Sequence, residues 1–439
     1  MHDLAVLILA AGKGERMCTD RPKVLHPLSG KALLSYSLET AKGLKPKKLV
    51  LLTGHKAAAI QKRFAEEKII WAKQAKQLGT AHAVLCGLES LKSFRGLLFI
   101  LYGDVPFVQV ETLKAMQSLL EREDASLIVL TAEVKDPTGY GRILRDRDGF
   151  LSHIVEEKEC TEDQKAVNEI NSGIYLARIQ DISGPLARVK KSILKGEYYL
   201  TELVSELNRE GKKVLSLKTQ DPNEVMGINS QEQLAEADEI LQIKIRKKWM
   251  SLGVTMIRPE SIRIDPEVIL ESGVTLHPGV ILGGKTKIKR DTEILPYSVI
   301  ESCEVLEGAR IGPFAHLRPG SYVGRQAHVG NFVELKKTRL ETGAKANHLA
   351  YLGDAIVGAR SNVGAGTITC NYDGFVKHQT IIGENAFIGS DTQLVAPVRV
   401  GKGAWVGAGT TVTKNVPPGA LAVSRMEQAN IKNWRKKKK

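Results

Sequence analysis

Aliphatic residues return every six positions through the second half of the chain. The three runs with this period are Ile262, Val268, Val274, Val280; Val299, Val305, Ile311, Leu317, Val323, Val329, Leu335; and Ile382, Ile388, Leu394, Val400, Val406, Val412. A period of six fits neither an α-helix, with about 3.6 residues per turn, nor a single amphipathic strand, which alternates. The pattern therefore predicts a repeated structural unit.

Small residues and glycines take fixed places within each six-residue unit. Ala, Ser or Thr stands four places after many of the aliphatic residues, and Gly often follows them directly, as in Ile311-Gly312 and Val323-Gly324. This is the hexapeptide pattern of a parallel β-helix, in which each unit makes a short strand and a turn, and the coils stack into a prism. A glycine-rich β-sandwich is the alternative, and three long runs in phase argue against it.

The first half of the chain alternates between strand-like and helix-like segments. Residues 4–9 form a continuous apolar run, as expected for a strand buried on both faces. The segments that follow predict helices over 31–42, 57–67 and 81–91, and strands over 48–52, 69–72 and 97–102. This alternation predicts a parallel sheet covered on both faces, with a ligand crevice at the carboxyl ends of the strands.

Two candidate functional motifs follow predicted strands. The run from Gly12 to Met17 contains glycines that would let backbone N–H groups approach a phosphate. It is neither a Walker A loop nor a full dinucleotide fingerprint, so a plain glycine turn is the alternative. Asp104 follows the strand 97–102, a position that suits a metal-binding carboxylate or a capping aspartate equally.

A hairpin and a long helix are predicted next. Segments 140–144 and 151–156 flank a turn at Asp148-Gly149, and another strand is predicted over 174–177. Ser230-Gln231-Glu232-Gln233 fits a capping box ahead of an amphipathic run, which predicts a helix of about 20 residues. We expect a first domain over 1–228, a connecting helix over 229–251, the β-helix over 252–425 and a basic tail over 426–439.

Composition narrows the class of protein. The chain has 439 residues, of which 43% are hydrophobic, enough for two or three domains with sizeable cores. Its apolar runs are strand-sized and its five cysteines are scattered, so we expect a cytoplasmic protein with reduced thiols. A net charge of +14 suggests acidic partners. No nucleic-acid-binding motif accompanies it, and phosphorylated small molecules explain the charge at least as well.

The six-residue rhythm is interrupted twice, and both interruptions are rich in polar residues. The first runs over 336–354 and contains His348, and the second runs over 369–374 and contains Asn371 and Tyr372. A surface histidine or an Asn-Tyr-Asp-Gly turn has an ordinary structural explanation. Two interruptions about one coil apart would lie side by side, however, so we expect a functional site there.

The ordered motifs of the first half resemble those of the sugar-1-phosphate nucleotidyltransferases. They are Leu9-Ala10-Ala11-Gly12-Lys13-Gly14-Glu15-Arg16-Met17, Pro22-Lys23-Val24-Leu25, Gln74-Ala75-Lys76-Gln77-Leu78-Gly79-Thr80, Tyr102-Gly103-Asp104, Asp136-Pro137-Thr138-Gly139-Tyr140-Gly141-Arg142 and Glu169-Ile170-Asn171-Ser172-Gly173. With the hexapeptide half, nearly the whole chain resembles the bacterial bifunctional N-acetylglucosamine-1-phosphate uridyltransferase/glucosamine-1-phosphate acetyltransferase family.

The resemblance implies the fold and the reaction sequence. The fold would be a Rossmann-like nucleotidyltransferase domain, a linker helix and a left-handed parallel β-helix that assembles as a homotrimer. Acetyl-CoA would acetylate glucosamine 1-phosphate, and UTP would then convert the product to UDP-N-acetylglucosamine, a precursor of peptidoglycan, lipopolysaccharide and lipid A. The partners would be these small molecules, with no nucleic acid and no membrane.

The resemblance also assigns residues to uridylyl transfer. Arg16 and Lys23 would face the triphosphate, and Asp104 and Asn229 would hold Mg²⁺. The remaining substrate-binding residues would be Leu9, Ala10, Ala11, Gly12, Gln74, Gly79 and Thr80 for the uridine part, Gly141, Glu156 and Asn171 for the amino sugar, and Tyr102 and Gly103 beside them. Where the family usually has a small polar residue this chain has Glu15, which we expect to face solvent because it would repel the triphosphate.

A second set is assigned to acetyl transfer. His348 would be the general base, since a neutral amine must attack the thioester, and Glu334 would orient it or balance its charge. Sugar-phosphate contacts would come from Arg318, Lys336, Tyr351 and Asn362, and acetyl-CoA contacts from Ala365, Asn371, Tyr372, Ser390, Ala408 and Arg425. Two rival functions use the same domain plan: a pyrophosphorylase for another sugar with a merely structural β-helix, and a non-catalytic regulatory protein.

Overall fold

The protein consists of two compact units. The computed structural model describes residues 3–192, 196–424, 426–432 and 434. Its chain divides into Met1–Asp238 and Glu239–Lys439, and the division falls inside the long helix that the sequence predicts. None of the helices in these described ranges is long and apolar enough to cross a bilayer. Arg425 and the basic run 435–439 lie outside the described residues.

The first unit alternates strands and helices. Its strands are β1 Leu4–Ala10, β2 Pro27–Leu28, β3 Lys31–Ala32, β4 Lys48–Thr53, β5 Ile70–Lys73, β6 Leu97–Tyr102, β7 Leu127–Glu133, β8 Arg142–Arg145, β9 Leu151–Val155, β10 Glu169–Arg178 and β11 Val214–Lys218. Its helices are α1 Leu33–Gly43, α2 Ala57–Arg63, α3 Thr80–Leu88, α4 Val110–Glu123, α5 Glu162–Lys165, α6 Ile179–Arg188 and α7 Glu202–Arg209, and the helix α8 Gln231–Ser251 continues into the second unit.

The main sheet has the strand order β11-β7-β10-β6-β1-β4-β5. Strand β1 runs parallel to both neighbours, and alternate residues enter different cores: Leu7 packs on one face of the sheet and Ile8 on the other. This confirms a Rossmann-like sheet buried on both sides. The sheet is not wholly parallel, because β10 is antiparallel to β6 and β7. It follows the antiparallel β8–β9 hairpin, and the α-helix between β9 and β10 is the four-residue α5, much shorter than the crossover helix that usually joins parallel strands.

Strand β10 begins earlier than the sequence predicts. It includes Asn171, Ser172 and Gly173, and its pairing with β7 shifts register between Asn171 and Tyr175. The shift is a bulge, whose polar residues and glycine read as a loop in the sequence. Bulges re-aim side chains next to functional sites.

Helix α8 starts at the predicted capping box. Ser230 Oγ accepts a hydrogen bond from Gln233 N at 3.2 Å, and Gln233 Oε1 accepts one from Asn229 N at 2.8 Å. In the usual capping box the glutamine side chain accepts from the backbone N–H of the capping serine itself; here it accepts from the residue before the serine, Asn229. Its consequence is that the helix terminus holds the backbone of Asn229, a predicted metal ligand.

The second unit is a parallel β-helix of very short strands. They are β12 Thr255–Met256, β13 Arg263–Ile264, β14 Ile269–Leu270, β15 Thr275–Leu276, β16 Ile281–Gly283, β17 Lys287–Ile288, β18 Glu293–Ile294, β19 Val299–Glu301, β20 Glu304–Val305, β21 Arg310–Ile311, β22 His316–Leu317, β23 Tyr322–Val323, β24 His328–Asn331, β25 Glu334–Lys336, β26 Arg339–Leu340, β27 Lys345–His348, β28 Tyr351–Gly353, β29 Ala355–Val357, β30 Asn362–Val363, β31 Ile368–Cys370, β32 Thr380–Ile382, β33 Phe387–Ile388, β34 Gln393–Val395, β35 Val398–Val400, β36 Trp405–Val406, β37 Thr411–Val412 and β38 Leu421–Ala422.

Every third strand of the prism belongs to the same face, so each face is a parallel sheet running along the stack. We name them the first face, which contains β24, β27, β30, β33 and β36; the second face, which contains β22, β25, β28 and β31; and the third face, which contains β26, β29 and β32. Most of these strands bury one central aliphatic residue in the prism, as β25 buries Leu335 and β28 buries Leu352. The prediction of a left-handed hexapeptide β-helix is therefore confirmed.

The inward positions explain a change of phase between the sequence runs. Each coil buries a second residue two places before the strand's inward residue, such as Val268 before Leu270 and Ala315 before Leu317. The run from Ile262 to Val280 follows this earlier position, where large aliphatics fill the first coils. The later runs follow the strand position itself. Val299 belongs to neither, because its neighbour Ile300 is the buried residue.

The two predicted interruptions differ in kind. The first is a regular coil made of β26, β27 and β28, so the prediction of a break there was wrong. The rhythm shifts because an inward residue comes one place early twice: Leu340 after Leu335, and Val357 after Leu352. The second interruption is a true insertion between β31 and β32, in which Tyr372 and Lys377 form an antiparallel bridge.

Candidate functional site

A cavity of about 570 Å³ opens at the carboxyl ends of β1 and β6 in the first unit. These strands are parallel neighbours, so the segments that leave them meet at one edge of the sheet. The predicted site residues that line the cavity are Leu9, Ala10, Ala11, Gly12, Arg16, Lys23, Gln74, Gly79, Thr80, Tyr102, Asp104 and Asn229. The structure thus brings together most of the set predicted for uridylyl transfer.

The glycine loop after β1 packs closely on Lys23. Gly14 has φ +68°, and a Cβ at this position would stand 2.8 Å from Lys23 Cβ. Only glycine meets both demands, a left-handed backbone and a close approach. The loop therefore keeps its backbone N–H groups at the cavity while Lys23 lies directly against it.

Lys23 joins the two predicted metal ligands. Its ammonium group donates to Asn229 Oδ1 at 2.9 Å and forms an ion pair with the carboxylate of Asp104. The side chains of Lys23 and Asp104 are only 15% and 12% exposed. The carboxylate of Asp104 and the amide oxygen of Asn229 therefore converge on one point, where a single cation can contact both.

Backbone contacts hold this pair of oxygens in place. Ile228 N donates to Asp104 O at 3.0 Å, which ties the residue before Asn229 to the end of β6. The Asn229 side-chain amide also lies 3.5 Å from Gly227 O, which leaves its oxygen free to face Lys23. Within the described residues no group of three or more His, Cys, Asp or Glu could hold a metal ion. A metal at this point would therefore take its other ligands from substrate phosphates and water.

Glu15 lies at the rim of the same cavity. Its side chain is 79% exposed and its carboxylate is 3.5 Å from Lys13 Nζ. Solvent and this lysine both weaken its repulsion toward a bound anion. Glu15, the residue that departs from the expected small polar type, is thus largely solvent-exposed at the rim.

The predicted sugar-binding residues lie beside the cavity rather than in its lining. Asn171 N donates to Gly141 O at 2.8 Å, which brings β10 and the hairpin together. Thr201 Oγ1 donates to Glu156 Oε1 at 3.1 Å. Gly103, the remaining residue of the set, donates its N–H to Leu9 O at 3.0 Å and so supports the floor between β1 and β6.

Burial changes the protonation chemistry around the sugar-binding residues. Burial raises the pKa of Glu156, and the neighbouring glutamates 159, 202 and 197 raise it further. Burial also raises the pKa of Tyr102 well above its ordinary value, with Glu156 adding to the effect. Sequence reasoning missed Glu197, which lines the cavity, because nothing in the local pattern separates it from a surface acid.

In the second unit, His348 lies in a column of predicted acetyl-CoA residues. Ala346, Val363, Ile388 and Val406 are register partners on consecutive strands of the first face. Two residues beyond each of them come His348, Ala365, Ser390 and Ala408. Backbone bonds continue the stack, with Asp391 N donating to Ala365 O at 2.7 Å and Gly409 N to Ser390 O at 2.8 Å. The exposed imidazole therefore begins a corner column that climbs about 4.8 Å per coil.

The predicted phosphate-binding residues lie across the second face from this corner. Arg318 follows β22 and Lys336 ends β25, and these two strands are register partners. Asn371 Nδ2 donates to Asp354 Oδ2 at 2.5 Å, and the same carboxylate is 3.4 Å from Lys336 Nζ. One edge of a face a few residues wide thus carries the histidine and the other carries the cations.

Tyr351 and Glu334 occupy the middle of the second face. They are register partners, and Tyr351 Oη leans over Gly353 toward Asn371. Glu334 Oε1 accepts from Arg318 Nη1 at 2.9 Å. In the described part of the chain no hydrogen bond joins Glu334 to His348, so the predicted pairing of these two residues is not what the structure shows.

The insertion after β31 supplies a cation that sequence reasoning missed. Lys377 lies beside Lys336, and the positive charge of Lys336 lowers the pKa of Lys377. A bound dianion would relieve the repulsion between two ammonium groups this close. No sequence signal identifies Lys377, because its approach to Lys336, 41 positions earlier in the chain, is a tertiary contact.

Two predicted residues stand apart from these groups. Tyr372 is 59% exposed on the insertion, and Asn362 lies on the outer side of the first face, in register with Lys345 and Phe387. Arg425 falls outside the described residues.

Comparison with known proteins matches both halves of the chain. A family model described as a MobA-like NTP transferase domain covers residues 6–158, and one described as a hexapeptide repeat of succinyl-transferase covers residues 379–414. Relatives named "Bifunctional protein GlmU" align along the whole length. Those from Geotalea uraniireducens (strain Rf4), Ralstonia pickettii (strain 12J) and Acinetobacter baylyi (strain ATCC 33305 / BD413 / ADP1) are 43%, 45% and 44% identical, covering 100%, 98% and 99% of this chain and 100%, 98% and 98% of their own.

These matches span both structural units in one continuous chain. The first unit is a nucleotidyltransferase module of a metal-dependent kind, and the second is an acyltransferase module of hexapeptide repeats. Identity above 40% over the whole length leaves no part of either module unaccounted for. The chain therefore belongs to the family of the bifunctional protein GlmU.

Proposed function

We propose that this protein makes UDP-N-acetylglucosamine in two steps. The second unit transfers an acetyl group from acetyl-CoA to glucosamine 1-phosphate, and the first unit transfers uridylyl from UTP to the product and releases pyrophosphate. The observation that carries the proposal is that each unit holds its own reactive arrangement: Lys23 with Asp104 and Asn229 in the first, and in the second His348 at one edge of the second face with cations at the other edge.

Uridylyl transfer asks for positioning and charge neutralisation. The attacking oxygen belongs to a sugar phosphate and is already an anion, so no general base is needed. The glycine loop offers backbone N–H groups to the phosphates, while Arg16 and Lys23 neutralise the charge that builds up on the departing pyrophosphate. This explains why the cavity combines cations with a glycine loop.

Mg²⁺ is the metal we assign to this unit. The residues fit it because a carboxylate oxygen of Asp104 and the amide oxygen of Asn229 converge on one point, and both are hard oxygen ligands. When bound there, Mg²⁺ would neutralise the phosphates and orient them for in-line displacement. Lys23 would then turn from these oxygens toward the triphosphate.

Acetyl transfer requires removal of a proton from an amine. His348 is exposed at its corner, so its imidazole is accessible to accept that proton from the attacking amine. Lys336, Lys377 and Arg318 lie at the opposite edge of the second face, suited to the sugar phosphate. The sugar would lie across the face between them, over Tyr351.

Glu334 acts on the phosphate side in this arrangement. Its hydrogen bond to Arg318 holds the guanidinium group on the second face, so Glu334 is engaged there and not with the imidazole of His348. We therefore assign Glu334 to positioning Arg318. The corner column of Ala365, Ser390 and Ala408 offers a path for the acetyl-CoA arm, with small side chains that leave room along the stack.

We place the enzyme in the cytoplasm as a homotrimer. Tyr297, Phe314 and Phe332 stack on one corner of the β-helix with centroid separations of 5.3 and 5.4 Å, and all three are exposed. An exposed aromatic ladder of this kind is suited to burial between subunits. Sedimentation equilibrium measures the assembly directly, and a monomer would contradict it.

One assay separates this proposal from its rivals. Protein is incubated with UTP, acetyl-CoA, glucosamine 1-phosphate and Mg²⁺, and free CoA, pyrophosphate and UDP-N-acetylglucosamine are measured separately. We expect all three products. Pyrophosphate from another sugar phosphate without any CoA would favour the single-function pyrophosphorylase, and no product of either kind would favour a regulatory protein.

Single substitutions separate the two activities. Asp104→Ala should abolish UDP-sugar formation and leave CoA release intact, because it removes the metal ligand of the first unit alone. His348→Ala should do the reverse when the enzyme is given N-acetylglucosamine 1-phosphate. Loss of both activities in either variant, with the fold intact by circular dichroism, would contradict the assignment of two independent sites.

A further inference from the structure

The bulge in β10 fixes the chemistry that Asn171 presents, and it does so through a buried tyrosine. We propose that Tyr175 is a positioning residue for uridylyl transfer: its hydroxyl and Gly173 N–H saturate the carbonyl oxygen of Asn171, so that the Asn171 side chain presents only N–H groups to the amino sugar. This inference rests on the proposed function, which assigns Asn171 to the sugar.

The bulge places both donors on the same oxygen. Gly173 N lies 3.0 Å and Tyr175 Oη 3.2 Å from Asn171 Oδ1. The pairing of β10 with β7 skips between Asn171 and Tyr175, so the extra residues turn Tyr175 back toward Asn171. Gly173 has φ +79°, and a Cβ there would stand 2.8 Å from the Tyr102 ring, so this turn requires glycine.

The rest of the bulge is satisfied independently of Asn171. Ser172 Oγ donates to Leu130 O at 2.6 Å and accepts from Ile174 N at 3.0 Å. These bonds anchor the bulge to β7. Apart from the Gly173 N–H group, the hydrogen bonding of the bulge therefore does not depend on the Asn171 side chain.

Hydrogen-bond chemistry then decides the sense of the amide. A backbone N–H can only donate, so the atom facing Gly173 must be the carbonyl oxygen and not the nitrogen. A carbonyl oxygen accepts about two hydrogen bonds, and Gly173 and Tyr175 provide both. The two N–H groups of Asn171 are what remains for a ligand.

Tyr175 is suited to act only as a donor to Asn171. The residue is fully buried. Burial, with the charges of Tyr102 and Glu156 adding to it, raises the pKa of Tyr175 well above its ordinary value. A raised pKa favours the protonated phenol, which is the form that donates to Asn171.

The consequence concerns the class of atom that the site recognises. Asn171 must bind an acceptor oxygen of the sugar, such as the carbonyl of an acetamido group or a hydroxyl. An ammonium group has no lone pair to offer it. Without the hydroxyl of Tyr175, one acceptor position of Asn171 is unsatisfied and the amide is held by Gly173 alone.

The test is a double-mutant cycle on uridylyl transfer by the full-length protein. Tyr175→Phe should raise KM for N-acetylglucosamine 1-phosphate roughly fivefold, with KM for UTP and CoA release unchanged. In an Asn171→Ala background, the same substitution should change that KM less than twofold, because no amide remains to be positioned. Tyr36→Phe is the matched control, since it also removes a phenol hydroxyl, one bonded to Leu28 O at 2.7 Å.

The outcomes separate positioning from a structural role. A merely structural hydroxyl would lower melting temperature and active fraction without a selective change in one KM. An equal KM change in both backgrounds, or no change in either, would overturn the inference. If the unsubstituted enzyme made no UDP-N-acetylglucosamine, the proposed function itself would be wrong, which is a different result. Should Tyr175→Phe fail to fold, Asn171→Asp is the second variant: it keeps the oxygen that accepts from Tyr175 and Gly173 and removes the N–H groups, so KM for N-acetylglucosamine 1-phosphate should rise, and an unchanged KM would overturn the inference.

Discussion

Replacing Lys23 by methionine should strengthen metal binding while weakening catalysis. In the folded chain the Lys23 ammonium bonds to both proposed metal ligands, Asp104 and Asn229, in surroundings that leave the lysine and aspartate side chains 15% and 12% exposed. A metal ion must displace this ammonium to reach the same oxygens. Lys23→Met keeps much of the side-chain volume and removes the competitor.

The magnitude follows from the bonds that are lost. A hydrogen bond to a charged group contributes about 1.5–3 kcal/mol. With about 1.4 kcal/mol for each factor of ten, removing the competitor should lower the Kd for metal alone by roughly ten- to hundredfold. Uridylyl transfer should fall by roughly a hundredfold or more, because a cation that stabilises the transition state is lost.

Electron paramagnetic resonance of free Mn²⁺ measures the binding without nucleotide. Lys31→Met is the matched control, because Lys31 Nζ pairs with Glu39 Oε1 at 2.8 Å and does not line the cavity. It should leave Mn²⁺ binding unchanged. Unchanged or weaker Mn²⁺ binding in Lys23→Met would refute the reasoning, since it would mean that the lysine does not compete with metal for these oxygens.

Three further predictions follow from the two sites. Burial raises the pKa of Glu156 in the folded protein, so the ionised carboxylate lowers the free energy of unfolding above that raised pKa and has no effect below the pKa of the unfolded chain. Glu156→Gln should therefore raise the melting temperature more at pH 8 than at pH 5. An equal gain at both pH values would contradict this. Lys377→Ala should raise KM for glucosamine 1-phosphate roughly tenfold and leave KM for acetyl-CoA unchanged, as measured by CoA release. A Cβ on Gly330 would overlap the backbone oxygen of Asn347, next to His348, so Gly330→Ala should lower acetyl transfer selectively, while equal loss of both activities would argue for global unfolding.

Much of the architecture was predictable because it is written in local periodicity. A six-residue repeat of aliphatic residues has one common structural solution, and the continuous apolar runs of β1 and β6 identify strands buried on both faces. The capping box predicted the start of α8 for the same reason, since its two hydrogen bonds span only a few residues. Glycines and a capping serine predict local turns and helix starts, which depend on neighbouring residues and not on distant contacts.

Errors arose where one pattern has two structural meanings. The polar stretch with His348 reads as a break, but its coil only shortens by bringing Leu340 inward early. The bulge with Gly173 reads as a loop, but tertiary bonds from Ser172 to β7 keep it in the sheet. Small polar residues are common to loops, bulges and prism corners, so the sequence does not distinguish among them.

The amino-acid sequence by itself determined the elements, the two-module plan and the types of residue available for chemistry. Only the tertiary structure decided which of them meet: Lys23 reaches partners 81 and 206 positions away, Asp104 and Asn229. It also decided that Glu334 pairs with Arg318, and that Lys377 joins Lys336 from an insertion. The physical reason is that periodicity records which side of an element is buried, whereas a site depends on the packing and register of elements far apart in the chain.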